Sequence, residues 1–169
     1  MADPTSFDDI ETSVAALADA LRQRRLTLAT AESCTGGLIA AACTAIAGSS
    51  DWFERGFVTY SNTAKTEMLG VPADLIARAG AVSEEVALAM ADGALRHAGT
   101  SLAGAVTGIA GPGGGVPGKP VGTVWLALAG VGLSSQAVRL QLAGDRAAVR
   151  NQTVAHALRL LLEACRSAN

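Results

Sequence analysis

Ser33 stands in the stretch Thr30-Ala-Glu-Ser-Cys-Thr-Gly-Gly37, where a short apolar run meets a polar turn and then a helical pattern. A serine at such a strand-to-helix turn can project its hydroxyl into a cleft. The amides of Thr35, Gly36 and Gly37 open the next helix there and can meet a phosphate or a developing oxyanion. That combination suggests acyl transfer. A plain helix cap is the commoner use of Ser33 or Thr35. A serine nucleophile also needs a base, and both histidines, His97 and His156, fall in helical patterns far along the chain. Lys65, in Tyr60-Ser-Asn-Thr-Ala-Lys65, is the candidate. A lysine titrates near 10.4 in water, so accepting a proton at neutral pH requires a fall of roughly 3 units, or about 4 kcal/mol. Burial among Tyr60, Ser61 and Asn62 supplies part of this by desolvation; the alternative is an ordinary surface lysine. Cys34 is the rival nucleophile, intrinsically more reactive but lacking a local base, and is expected to be buried and inert.

A second cluster lies beyond residue 106. Gly113, Gly118 and Lys119 have the spacing of a phosphate-binding P-loop, but Pro120 stands where that loop needs a hydroxyl. The next residues, Val121-Gly-Thr-Val-Trp-Leu126, read as a strand and not as the required helix. The better use of Thr107-Gly-Ile-Ala-Gly-Pro112 is a strand-end loop whose small residues let amides approach a ligand, with the Thr107 hydroxyl beside them. Lys119, Arg146 and Arg150 offer cations for an anionic substrate. Asp145 can also cap the last helix, leaving the two arginines on a solvated face.

Composition narrows the classes. The chain has 169 residues, half of them hydrophobic, enough for one core, and residues 1–169 are expected to form a single domain with a flexible segment at about 1–8. A formal net charge of −2 gives no footprint for nucleic acid, and the one basic cluster, Arg22, Arg24 and Arg25, ends a helix. Three cysteines without a C-x-x-C pair argue against a disulfide framework and a cysteine-rich zinc site. The N-terminus is acidic where a signal peptide would be basic, and the uncharged runs 33–50 and 120–138 are interrupted by glycines and polar residues. A soluble cytoplasmic protein without membrane partners is the expectation.

These residues need elements to position them. Ile10, Val14, Leu17 and Leu21 recur at helical spacing, giving a helix over about 8–24, and Leu26–Thr30 fits a buried strand. A helix over 36–47 comes next, then a strand at 53–60 and helices at 61–69, 73–79 and 83–97. Strands are expected at 102–107, 121–129 and 135–142, the last two a hairpin turning at Gly130-Val-Gly132, before a final helix at 145–167. The alternation predicts an α/β protein, a three-layer α/β/α sandwich with a mixed, mostly parallel sheet. Ligands collect at the carboxyl ends of strands in such sheets, where Glu32–Gly37, Tyr60–Lys65 and Thr107–Pro120 all fall.

Taken jointly, AESCTGG (31–37), YSNTAK (60–65), TGIAGPGG (107–114) and GDRAAVR (144–150) resemble the CinA C-terminal domain family, whose activity is that of nicotinamide-nucleotide amidase. The resemblance covers about residues 10–165 and implies the same α/β/α fold. It implies a hydrolase of pyridine nucleotide recycling that converts nicotinamide mononucleotide to nicotinate mononucleotide and ammonia, with no metal or other cofactor. Ser33 matches the family's nucleophile, Lys65 its base and Thr107 a residue supporting the reacting centre. Thr35, Gly36, Gly37, Tyr60, Asn62, Gly108, Gly111, Arg146 and Arg150 are expected to line the substrate. The chain leaves no room for the N-terminal pyrophosphatase-type domain of many members, so the stand-alone amidase is the expected form. A homodimer is left open. The competing class is a non-catalytic module of the competence and DNA-damage context, sensing a nucleotide or binding a protein; the presence of both Ser33 and Lys65 argues against it.

Overall fold

The computed structural model describes residues 7–167. Most of the expected flexible segment at 1–8 lies outside them, and helix α1 already includes Phe7. The elements run α1 (Phe7–Arg24), β1 (Leu28–Glu32), α2 (Leu38–Thr44), a short 3-10 turn at Ser49–Asp51, and β2 (Phe53–Val58). They continue with α3 (Asn62–Leu69), α4 (Ala73–Ala79), α5 (Glu84–Ala98), β3 (Leu102–Gly108), β4 (Thr123–Gly130), β5 (Gln136–Gln141) and α6 (Arg146–Ser167). None of the described helices is long and apolar enough to cross a membrane.

The sheet order is β2-β1-β3-β4-β5. β1 pairs in parallel with both β2 and β3, whereas the β3–β4 and β4–β5 pairings are antiparallel. Four strands therefore point one way and β4 alone runs against them, the mixed sheet expected from the hairpin.

Side-chain alternation divides the two faces. Leu28, Leu102, Val106, Val124, Leu126 and Leu128 face α1, α2 and α6, whose Val14, Leu17, Ile39, Leu158 and Leu161 complete that core. Across the sheet, Ala31, Ala103, Ala105, Ala127 and Ala129 pave the surface under α5, which contributes Val86, Ala87, Met90 and Ala91. Alanine on both sides lets α5 lie close against the strands. Closeness extends to α3: a Cβ at Gly93 would stand 2.2 Å from the Leu69 carbonyl oxygen.

One boundary differs from the sequence reading. The first strand occupies 28–32 rather than 26–30, because α1 ends through Arg25 at φ 55° and the chain turns before pairing. Glu32 is thereby the last strand residue, 1% exposed.

The parallel register aligns Glu32 with both Val58 and Val106, so β1, β2 and β3 end at one edge. The loops after all three, the start of β4 and the approach to α6 meet there.

Candidate active site

Lys65 reaches Ser33 across this edge. Ser61 caps α3, its hydroxyl accepting from the Ala64 amide at 3.0 Å, which sets Lys65 on the inner side of the helix's first turn. The Lys65 side chain is 1% exposed. Its Nζ lies 3.0 Å from Ser33 Oγ, 3.0 Å from the Thr59 carbonyl oxygen and 3.3 Å from the Tyr60 carbonyl oxygen. A neutral amine has two N–H groups and one lone pair. With the two carbonyls accepting the N–H groups, the lone pair is left for the serine hydroxyl. Burial pushes the Lys65 ammonium below its ordinary range, with only a lesser upward pull from Cys34.

Ser33 is held from the sheet side, its amide donating to the Val106 carbonyl at 3.1 Å, and its own carbonyl accepts from the Gly36 amide. The turn after it is organised by Glu32. The carboxylate of Glu32 accepts from the Thr35 hydroxyl at 2.6 Å, from the amides of Gly37 and Ile39 at 3.0 Å, and from the Ala40 amide at 2.8 Å. The anion at the start of α2 is thus part of the protein, and the Gly36 and Gly37 amides are engaged internally. Among the described residues, the amides of Cys34 and Thr35 have no main-chain acceptor, so the turn keeps two donors next to the nucleophile.

Two α6 arginines close the other side. Arg146 donates to the Gly111 carbonyl at 2.9 Å and to the Tyr60 hydroxyl at 3.0 Å; Arg150 donates to the Thr35 carbonyl at 3.1 Å. Asp145 caps this helix through the Ala148 amide, the alternative use that the sequence left open for it. A groove opens between Ala110, Pro112, Val121, Gly144 and the two arginines. Tyr60 is 60% exposed; its main-chain carbonyl accepts from Lys65, and its phenolic hydroxyl accepts from Arg146.

The remaining expected residues divide. Thr107 is buried and donates its hydroxyl to the Ala81 carbonyl at 2.7 Å, tying the end of β3 to the α4–α5 loop. Gly108 and Gly111 have packing reasons to lack a side chain, since a Cβ would stand 2.7 Å from Val124 Cγ2 and 2.5 Å from Val121 Cγ1. Asn62 begins α3 and is exposed. Lys119 turns elsewhere, donating to the Ala79 carbonyl at the end of α4. Its loop closes as a narrow bridge between Val116 and Lys119 and enters β4, with no helix to support a P-loop.

Cys34 is buried, and its thiol is pushed up to about 11, chiefly by burial and further by the Glu32 carboxylate, against a hydrogen bond from its own backbone and the lesser pull of Arg150 and Arg146. A thiol so protonated is a poor nucleophile at neutral pH. Sequence reading missed Glu32. The signal available was a carboxylate ending an otherwise buried strand directly before Ser33.

The profile described as CinA C-terminal domain matches residues 10–165. Nicotinamide-nucleotide amidohydrolase PncC of Escherichia coli (strain K12) is 53% identical over 142 residues, 84% of this chain and 86% of that protein. The protein of the same name from Pseudomonas putida is 54% identical over 157 residues, 93% and 98% of the two chains. The crystal structure of competence/damage inducible protein CihA from Agrobacterium tumefaciens superposes with a TM-score of 0.90 at 46% identity, covering 94% of this chain and 96% of that one. With a profile match over nearly its whole length and relatives above half identity, the chain belongs to the CinA C-terminal domain family.

Proposed function

We propose that this protein hydrolyses the carboxamide of nicotinamide mononucleotide, releasing ammonia and nicotinate mononucleotide, with Ser33 as nucleophile and Lys65 as base. The observation that carries the mechanism is the buried 3.0 Å contact between Lys65 Nζ and Ser33 Oγ. The substrate is supported by the names of the relatives that match most of the chain.

The chemistry uses the site as built. Neutral Lys65 takes the Ser33 proton as Oγ bonds to the amide carbon, and the Cys34 and Thr35 amides, which have no main-chain acceptor, are the donors assigned to the oxygen that gains charge. On collapse the C–N bond breaks and the Lys65 ammonium returns its proton to the leaving nitrogen, giving ammonia and an ester on Ser33. A water then loses a proton to Lys65, attacks the ester, and Ser33 leaves with that proton restored. The contacts of Arg146 with Tyr60 and Gly111 support assigning the rest of the nucleotide to this side of the pair, with Arg146 and Arg150 as the cations for its phosphate. Such a reaction returns a pyridine nucleotide to NAD synthesis.

Ammonia release from nicotinamide mononucleotide, with free nicotinamide and NAD as comparison substrates, tests the reading. Preferential turnover of the mononucleotide is expected. Binding of the mononucleotide without ammonia release would turn the assignment to the non-catalytic module.

A further inference from the structure

We infer that Glu32 is a positioning residue of this reaction: its buried carboxylate fixes the Ser33 turn relative to the Lys65 loop. The inference rests on the proposed Ser33–Lys65 pair and extends it to a residue that touches neither substrate nor reacting atom.

Three observations carry it. First, an ordinary N-cap is absent from α2: the cap position is Gly37 at φ 103°, with no side-chain hydrogen bond. The capping oxygens come from five residues upstream, across the nucleophile turn, so the carboxylate closes that turn as well as starting the helix. Second, the Thr35 hydroxyl on the same carboxylate fixes the residue two after Ser33, whose carbonyl receives Arg150. Third, the backbone carbonyl of Glu32 accepts from the Thr59 amide at 2.8 Å, and the Thr59 carbonyl in turn accepts from Lys65 Nζ. One residue therefore anchors the base's loop by its main chain and the nucleophile's turn by its side chain.

A carboxylate with four donors and no contacting cation among the described residues is costly to bury unless every bond is in place. It tolerates one arrangement of the turn and penalises others. Replacing one oxygen with an amide NH2 sets donor against donor, and the turn must shift to relieve it. A misplacement near 1 Å at a reacting group lowers rate by about 10²-fold.

The test is Glu32→Gln in the full chain, read in three ways: kcat and KM on nicotinamide mononucleotide, labelling of Ser33 by a fluorophosphonate, and thermal melting. We expect kcat to fall by about 10- to 100-fold with KM within about threefold, and labelling to slow in parallel. A folded variant that keeps wild-type kcat and labelling while losing only melting temperature overturns the proposal, since Glu32 would then be structural. Thr35→Val removes one donor and leaves the charge bonded, so it serves if Glu32→Gln does not fold; a lowered kcat at unchanged KM supports the proposal and full kcat overturns it. Labelling separates the positioning role from the choice of substrate. Wild-type protein that labels at Ser33 but does not turn over the mononucleotide removes the substrate, while the Glu32 comparison still stands on labelling. Wild-type protein that neither labels nor turns over removes both.

Discussion

Lys65 Nζ and Ser33 Oγ are 3.0 Å apart at the end of the parallel strands, and the lysine's other two partners are main-chain carbonyls, with no carboxylate among them. A buried lysine without a counter-ion is disposed toward the neutral amine, the form that accepts a proton. The rate term kcat/KM is therefore expected to rise with pH along a limb whose midpoint lies below the ordinary lysine value of about 10.4. Lys65→Arg keeps a cation that does not deprotonate at working pH, and should be nearly as damaging as Lys65→Ala. Substantial rescue by arginine, read at saturating substrate with circular dichroism as the fold check, would show a purely electrostatic lysine.

The same depressed value makes a stability statement that does not involve substrate. Between the folded pKa of Lys65 and about 10.4, the unfolded chain binds the proton that the folded chain has released, so raising pH across this window favours folding. The melting temperature of wild type relative to Lys65→Met should climb through the window and stay flat below it. An offset independent of pH would place the ammonium, not the amine, in the folded protein.

Cys34 should be dispensable. With its thiol near 11, only about one molecule in 10⁴ carries the thiolate at pH 7. Cys34→Ala is expected to retain kcat within about threefold, and iodoacetamide should modify the native protein slowly at pH 7. Loss of activity in Cys34→Ala comparable to that of Ser33→Ala would reverse the assignment.

Arg146 links Tyr60 to the Gly111 loop, and the loss of its charged hydrogen bonds is expected to appear in binding. Arg146→Ala should raise KM by about 10- to 100-fold, and Tyr60→Phe, which removes only the hydroxyl, by about 2- to 10-fold, each with kcat little changed. Equal kcat/KM on free nicotinamide and on the mononucleotide would leave these residues without a phosphate to recognise.

Much of the fold is legible in the sequence, element by element. The helical repeat of Ile10, Val14, Leu17 and Leu21 marks α1, and the alternation of helices with short apolar runs leads to the layered sheet. Ser33 and Lys65 stand out because a hydroxyl and a lone lysine come after consecutive strands. The features hidden from the sequence are set by tertiary contacts. A buried glutamate is rare enough that the polar Glu32 reads as the beginning of a turn, and only the pairing of Glu32 with Val58 and Val106 makes it a strand residue. The same residue takes the Gly37 amide, one of the three that the sequence offers to a phosphate or oxyanion. Lys119 looks available for phosphate until its loop folds toward α4, a direction that glycine spacing does not encode.

The most direct measurement is ammonia release from nicotinamide mononucleotide by wild type and by Ser33→Ala, both checked for fold. The account predicts turnover by wild type and a loss on the order of 10³-fold or more in kcat for the variant. A Ser33→Ala protein releasing ammonia within about tenfold of wild type would contradict it.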